Sequence, residues 1–154
     1  MARRGEAQLL SDLALRSKAH WGYSQQFIEA CRNELSYSED LILSEHMKFH
    51  VLEAKAGIIG FHALRRLSSR KMDLEALFVE PRYIGKGWGR LLIEHAKQTA
   101  ADLGATQLSI QGDPNAAAFY VAAGGVLTGS SESASIPGRF LPVFAIELGP
   151  GHAA

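Results

Sequence analysis

Apolar residues near the N-terminus recur at helical spacing. The pattern predicts a first helix around residues 9–14 and a second around residues 27–35, with a break at residues 21–23. Residues 41–43 fit either a helix end or a strand. The predicted buried stripes are Leu9, Leu10, Leu13 and Ala14 in the first helix, and Phe27, Ile28, Cys31 and Leu35 in the second.

The pattern changes to strands after residue 47. Residues 48–53 and 58–64 fit an antiparallel hairpin in which Gly57 supplies the turn geometry. A further strand is expected over residues 72–79, closed by Pro81. A long helix follows from about residue 87 to residue 103, because Gly104 fits the position just after a helix C-terminus. Its predicted buried face is Leu91, Leu92, His95, Ala96, Thr99 and Leu103.

The C-terminal third alternates strands with one more helix. Residues 106–110, 126–128 and 143–148 predict strands, and Asp113-Pro114 fits the start of a helix that extends to residue 123. This order predicts an α/β (α+β) fold with a mixed, mainly antiparallel central sheet and helices on both faces. We expect one domain over residues 1–148 and a flexible tail over residues 149–154.

Composition narrows the class of protein. The chain has 154 residues, of which 47% are hydrophobic and 21% charged, as in an ordinary globular domain. Sixteen basic and sixteen acidic side chains cancel, which disfavours a nucleic acid partner. No apolar run reaches the length of a membrane helix, and a lone cysteine, Cys31, suits a reducing compartment. We therefore expect a cytoplasmic protein with neither a nucleic acid nor a membrane partner.

Three alternating glycines, Gly85, Gly87 and Gly89, lie between a predicted strand and the long helix. Their uncovered N–H groups, with the helix dipole behind them, predict a cradle for phosphate oxygens, to which Lys86 and Arg90 add positive charge. A tight turn that needs glycine for its geometry alone is the alternative. The Walker pattern and the dinucleotide fingerprint fit worse, because Gly87 follows Lys86 where Ser or Thr is required and the third glycine comes one residue early.

The chain is similar to the GCN5-related N-acetyltransferase (GNAT) family. The family's glycine motif corresponds to residues 84–89, and its Asn followed by an Ala-rich helix corresponds to Asn115 through Phe119-Tyr120 and then Gly124. The resemblance covers roughly residues 40–148. Ile84 stands where the family usually has Gln or Arg, and only residues 1–5 remain for the family's first strand, which we expect to be short or missing.

The resemblance implies an N-acetyltransferase that moves an acetyl group from acetyl-CoA to an unidentified amine. A non-catalytic acyl-CoA sensor of the same fold is the alternative, since Ile84 removes a polar contact to the pyrophosphate. The implied coenzyme contacts are Phe78, Val79, Ile84, Gly85, Lys86, Gly87, Trp88, Gly89, Arg90, Asn115 and Phe119. The side chains of Phe78 and Val79 belong to the core, so their contacts would be made by the backbone.

Two catalytic groups are expected. The resemblance makes Tyr120 the general acid that assists the departing sulfur, although an aromatic in a packed helix face would look the same. The acceptor ammonium must also lose a proton, and Glu75 or Asp73, two apart on one strand, is a candidate base. The alternative for Glu75 is a surface ion pair with Arg65 or Arg66. Transfer is expected to be direct, because Cys31 is distant in sequence from the glycine loop and from Tyr120, and no His–Asp pair is placed to activate a serine.

Acceptor contacts are the least specified part of the sequence. Trp21 and Tyr23 fit either the wall of an acceptor pocket or the packed corner of a helix pair, and Arg139 either holds an acceptor carboxylate or is solvated. His46 and His50 lack a third ligand, so no metal is expected. A homodimer is possible through an open sheet edge or through residues 143–148.

Overall fold

The computed structural model describes residues 1–149, and its six strands form one sheet. The strand order is β1-β2-β3-β4-β6-β5; β3 and β4 are parallel, and every other neighbouring pair is antiparallel. The sheet confirms the predicted fold class. The strands are β1 (Met47–Ala54), β2 (Gly57–Arg66), β3 (Lys71–Val79), β4 (Gln107–Gln111), β5 (Val126–Glu132) and β6 (Phe140–Glu147).

Helices cover both faces of this sheet. On one face, buried residues of the first helix pack with Phe49 and Phe61 of the hairpin; on the other, Ile93 and Ala96 of the long helix pack with Leu64 and Met72. The sheet is therefore covered by two apolar layers, one under the first helix and one under the long helix. The helices are α1 (Ala7–Ala19), α2 (Gln25–Cys31), α3 (Glu39–Ile42), α4 (Trp88–Asp102) and α5 (Ala117–Ala122).

The edge beside β1 carries a remnant of pairing at the N-terminus. The backbone N–H of Ala2 donates to the carbonyl of Phe49 at 2.9 Å, and residues 1–6 contain no strand. At the other edge, β5 lies outside β6. β6 lies between β4 and β5, so both of its sides are paired within this sheet.

A β-bulge at Glu75 divides β3 into two halves. Ala63 pairs with Ala76 and Leu64 pairs with Leu74, which leaves Glu75 as the extra residue. Leu74 packs in the layer of α4, whereas Ala76 packs in the layer of α1, so the bulge reverses the faces of the strand. Pairing with β4 also ends at Leu74, while β3 continues to Val79. Beyond the bulge, β3 therefore has a side without a strand partner.

Two predicted buried faces need correction. Leu9 is exposed, whereas Leu10, Leu13 and Ala14 are buried as predicted, together with Ala7. In α4 the buried stripe includes Ile93 and Ala100, while Leu91 is 51% exposed and Leu103 is also exposed. Ile93 lies two residues after Leu91, which is about 200° around the helix, so both cannot face the sheet.

Two element ends differ from the prediction, since α2 ends at Cys31 and not near residue 35, and β5 continues beyond residue 128 to Glu132. The turn glycines predicted at positions 57 and 104 have φ of 114° and 92°. The predicted tail lies outside the described residues from residue 150 onward. Within residues 1–149, no helix is both long and apolar enough to cross a bilayer.

Candidate functional site

A cavity of about 500 Å³ opens where β3 and β4 separate. The bulged half of β3, residues 74–79, forms one side of it. The glycine loop before α4 and the buried face of α5 form the other sides, and α1 with the segment after α2 closes the end. The cavity exists because the bulge and the short β4 leave the sheet unpaired there.

The glycine loop has the geometry of an anion cradle. Gly85 and Gly87 have φ of 81° and 89°, which side chains other than glycine rarely adopt. α4 begins directly after Gly87, and the first helical N–H with an acceptor is that of Leu91, which donates to the Gly87 carbonyl at 3.1 Å. The preceding N–H groups are those that a helix leaves free for phosphate oxygens. Arg90 lines the same cavity.

Gly89 packs closely against α5. A Cβ at this position would lie 3.3 Å from the ring of Phe119, which lines the cavity on α5. Lys86 and Trp88 do not line the cavity, and the ammonium of Lys86 lies 5.8 Å from the ring centre of Tyr83. These dimensions and free N–H groups fit the pyrophosphate and pantetheine arm of coenzyme A.

Glu75, the bulged residue, lines the cavity. Arg65 Nε lies 2.7 Å from one of its oxygens. Burial is the largest cause, followed by hydrogen bonding and charge repulsion from Asp73, and with a smaller effect of Glu34 these raise the pKa of Glu75 to about 7 against the opposing effect of Arg65. Asp73 lies behind it and accepts a hydrogen bond from Ser109 Oγ at 2.6 Å. Of the two candidate bases, only Glu75 lines the cavity.

Tyr120 lines the cavity from α5 and is only 8% exposed. Its ring packs beside Phe144 and Phe119, at centroid distances of 5.9 and 5.2 Å. Burial raises the pKa of Tyr120 above its ordinary value, so the phenol stays protonated at neutral pH. Within residues 1–149 its hydroxyl makes no hydrogen bond, which leaves it available as a donor toward the cavity.

Five side chains form a polar cluster at the end of the cavity: Lys18, Tyr23, Asp113, Asn115 and Arg139. Lys18 Nζ lies 2.6 Å from Asp113, and the Tyr23 hydroxyl donates to the same carboxylate at 2.9 Å. Asn115 Nδ2 and Arg139 Nη2 each donate to the Tyr23 oxygen at 2.9 Å. Burial by itself raises the pKa of Asp113, but the hydrogen bonds from Lys18 and Asn115 hold it below its ordinary value.

The structure brings most of the predicted site residues onto one surface. Of the predicted residues, Tyr23, Lys86 and Trp88 do not line the cavity, and Tyr23 instead contacts Arg139 and Asn115. The predicted residues that line it are Trp21, Glu75, Phe78, Val79, Ile84, Gly85, Gly87, Gly89, Arg90, Asn115, Phe119, Tyr120 and Arg139.

The sequence did not indicate Lys18 and Glu34 as site residues. It predicted Asp113 only as a helix cap and Cys31 only as a core thiol. All four line the cavity. The argument that Cys31 is remote is wrong, because α2 brings its thiol to the cavity wall. Burial raises the pKa of the Cys31 thiol. Among these four residues, only Asp113 had a sequence pattern, that of a helix N-cap, which predicts a side chain held in place by hydrogen bonds.

Histidines from three elements gather away from the cavity. The rings of His50, His62 and His95 lie 5.1 Å apart in every pair, and His62 Nε2 lies 2.9 Å from His95 Nδ1. Within the described part of the chain, no three side chains of His, Cys, Asp or Glu are arranged to hold a metal ion.

Comparisons with known proteins agree with this geometry. Residues 6–135 match the acetyltransferase (GNAT) domain family. The fold is similar to that of PaiA N-acetyltransferase from Thermoplasma acidophilum in complex with coenzyme A, with 21% identity, 95% of each chain covered and a TM-score of 0.75. It is also similar to a GCN5-related N-acetyltransferase from Rhodopseudomonas palustris, with 21% identity, a TM-score of 0.78, and 96% of this chain and 92% of that chain covered.

A third similar structure is the ribosomal-protein-S18-alanine N-acetyltransferase from Escherichia coli, with 17% identity and a TM-score of 0.71. The match covers 99% of this chain and 93% of that chain. No curated protein matches the sequence significantly.

The fold and the cavity define a transferase that uses an acyl-coenzyme A. The chain belongs to the GNAT acetyltransferase family. It is an acetyl-CoA-dependent N-acetyltransferase, whose acceptor is an unidentified amine.

Proposed function

We propose that the acetyl group passes directly from acetyl-CoA to the acceptor amine inside the cavity, with Glu75 as base and Tyr120 as acid. The observation that supports this most strongly is that the glycine loop, Glu75 and Tyr120 line one continuous cavity. A nucleotide cradle, a base and an acid on a shared surface are what direct transfer requires.

In this mechanism the glycine loop holds the pyrophosphate. The free N–H groups between Gly85 and Arg90 and the positive end of α4 supply hydrogen bonds and partial charge to it. The unpaired side of β3 at Phe78 and Val79 offers backbone groups to the pantetheine arm, because β4 has already ended. Ile84 contributes only apolar contact, so binding depends on the backbone.

The acceptor enters as an ammonium. Glu75, with a pKa of about 7, takes one proton and leaves a neutral amine, whose nitrogen attacks the thioester carbonyl carbon. As the carbon–sulfur bond breaks, the Tyr120 hydroxyl gives its proton to the sulfur, and the second proton lost from the nitrogen restores the hydroxyl. The products are an N-acetylated amine, free coenzyme A and one proton, which Glu75 releases to solvent.

Three further assignments belong to this proposal. Trp21 and Arg139 contact the acceptor, because both line the cavity beyond Glu75. Residues 1–148 act as one domain in the cytoplasm, where a single thiol stays reduced. A homodimer would form through one of the two edge strands, β1 or β5.

A screen of primary amines with detection of released thiol tests the activity and the acceptor together. Acetyl-CoA, the protein and one amine per well should give thiol release that depends on both the amine and Glu75. Thiol release from every amine tested at the same rate in the Glu75→Gln variant would overturn the assignment of the base.

A further inference from the structure

The polar cluster carries two cations and one carboxylate in a largely buried place. The side chains of Lys18, Asp113 and Arg139 are 14%, 11% and 20% exposed. The pair of Lys18 and Asp113, at 2.6 Å, is a tight one, whereas Arg139 lies 3.8 Å from the same carboxylate. One positive charge in the cluster is therefore unbalanced, and a buried charge without a partner is costly.

The two neutral side chains of the cluster, Tyr23 and Asn115, have used all their hydrogen-bond donors. The Tyr23 hydroxyl donates its one hydrogen to Asp113 and accepts from Asn115 and Arg139, which uses both lone pairs. Both amide hydrogens of Asn115 are used, at 2.9 Å to Tyr23 and 3.0 Å to Asp113. Tyr23 and the Asn115 nitrogen therefore have no donor left for a ligand.

The two cationic side chains still have free donors: within residues 1–149 Lys18 Nζ uses one of its three N–H groups, on Asp113, whereas Arg139 offers a planar fork of N–H groups. Only its Nη2 group donates to a protein acceptor within residues 1–149, the Tyr23 oxygen at 2.9 Å. The guanidinium lies 4.8 Å from the Phe27 ring centre and 5.4 Å from that of Tyr23, and these two rings stack at 4.1 Å. The plane of the guanidinium is thus fixed, and its remaining N–H groups can bind two oxygens of one planar anion.

Acidic side chains line the same cavity. Glu34 accepts a hydrogen bond from the Ser135 hydroxyl and has no salt bridge in the described part of the chain, and Glu75 is the proposed base. The cavity therefore combines carboxylates suited to an ammonium with a cation suited to an anion. An acceptor with both charges would match both features.

We propose that Arg139 binds a carboxylate of the acceptor, so that the acceptor is a small amine that also carries a free carboxylate. The orientation of this acceptor, amine toward Glu75 and carboxylate toward the polar cluster, rests on the proposed function. The anion at Arg139 has a second possible source, a phosphate of the coenzyme, and the experiment distinguishes the two.

The test uses amines in matched sets: L-amino acids, their carboxamides and the corresponding decarboxylated amines. Thiol release should favour the free acids, with kcat/KM about 10- to 100-fold above that of the carboxamides, the usual range for a charge-assisted hydrogen bond. Arg139→Gln should remove this preference by lowering kcat/KM for the acids alone, and Arg139→Lys should restore part of it. Arg32→Gln, at an exposed arginine outside the cavity, is the control.

Two further measurements make every outcome decisive. Propionate, which has no amine, should shift the ¹H–¹⁵Nε NMR signal of Arg139, and no shift at 50 mM propionate would overturn the proposal even if no amine in the panel reacts. Calorimetry with acetyl-CoA should give the same affinity for Arg139→Gln as for the wild type. A large loss of coenzyme affinity would assign the anion to the coenzyme and overturn the proposal.

Equal kcat/KM values for the carboxamides and the free acids would also refute the proposal for Arg139. Because coenzyme binding and thiol release with the carboxamides are measured in the same samples, loss of the Arg139 proposal would leave direct transfer by Glu75 and Tyr120 intact.

Discussion

Arg65 Nε lies 2.7 Å from a carboxylate oxygen of Glu75, in a place where burial and Asp73 oppose the ionised form of that carboxylate. The ion pair lowers the pKa of Glu75 and the other two effects raise it, with a net value of about 7. A carboxylate that is half ionised near neutral pH is well matched to removing a proton from an ammonium.

The first prediction concerns the pH profile. Since the ionised form of Glu75 is the base, kcat/KM should rise with pH and level off above about 7. Arg65→Gln removes the group that lowers this pKa, so the midpoint should move to higher pH. Glu75→Gln should lower the rate by about 10²-fold, the usual contribution of a general base. An unchanged midpoint in Arg65→Gln would contradict the assignment.

The second prediction separates coenzyme binding from backbone strain. Gly87 and Gly104 lie at the two ends of α4 with φ of 89° and 92°, and no atom lies within 4 Å of a Cβ at either. Alanine at either position should destabilise the fold by a similar amount, about 1–2 kcal/mol. Only Gly87→Ala should weaken acetyl-CoA binding in calorimetry, because it distorts the N–H cradle. Equal affinities in the two variants would exclude the cradle.

The sequence predicted these turn glycines because each is required by local geometry. It predicted the strands and the order of the elements for the same reason, since periodicity is a local property. The bulge was not predictable from alternation. In a regular strand Leu74 and Ala76 would share a face, whereas the bulge at Glu75 places them on opposite faces.

The polar cluster could not be predicted from the sequence either. The cluster joins Lys18 of α1, Asp113 of the turn after β4 and Arg139 of the loop before β6, and no spacing in the sequence links them. Tyr23 and Arg139 were predicted as separate acceptor contacts, whereas the structure joins them by a hydrogen bond. Side chains that meet only through tertiary packing leave no periodic signal.

The third prediction concerns stability at acid pH. His62 is fully buried, and burial followed by the nearby His50 and His95 lowers its pKa to about 3; burial, His95, the N-terminus and Lys48 lower that of His50 to about 4. An unfolded histidine takes up a proton below about 6.5. Between these values the unfolded chain binds more protons than the folded one, so stability falls as pH decreases from about 6.5.

Urea unfolding at several pH values checks this. His62→Leu should reduce the slope of unfolding free energy against pH by up to about 1.4 kcal/mol per pH unit, the limit for one group. His46→Leu, at an exposed histidine outside the cluster, is the matched control. A slope unaffected by the loss of His62 would show that the cluster does not govern acid unfolding.

The fourth prediction tests Tyr120 as the general acid. Tyr120→Phe keeps the ring that packs against Phe144 and removes only the hydroxyl. The rate should fall by about 10²-fold while the affinity for acetyl-CoA stays the same, because the lost interaction forms with the departing sulfur. With a thioester analogue that has a better leaving group, Tyr120→Phe should reduce the rate by a smaller factor than with acetyl-CoA. A full wild-type rate for Tyr120→Phe would remove this residue from the mechanism.

The last prediction concerns Cys31, which the structure places on the cavity wall. A covalent route would need its thiolate, but burial is the main influence on the thiol and raises its pKa, against the opposing effects of Lys18 and Ser135. The thiol form is a poor nucleophile, so the amine should attack the thioester without an acetyl-enzyme. Cys31→Ala should retain the rate to within about two-fold, since a base and an acid suffice for direct transfer. Mass spectrometry of the wild type with acetyl-CoA and no amine should find an unmodified chain. Rapid acetylation of Cys31 that an added amine then removes, together with an inactive but folded Cys31→Ala variant, would establish the covalent route instead.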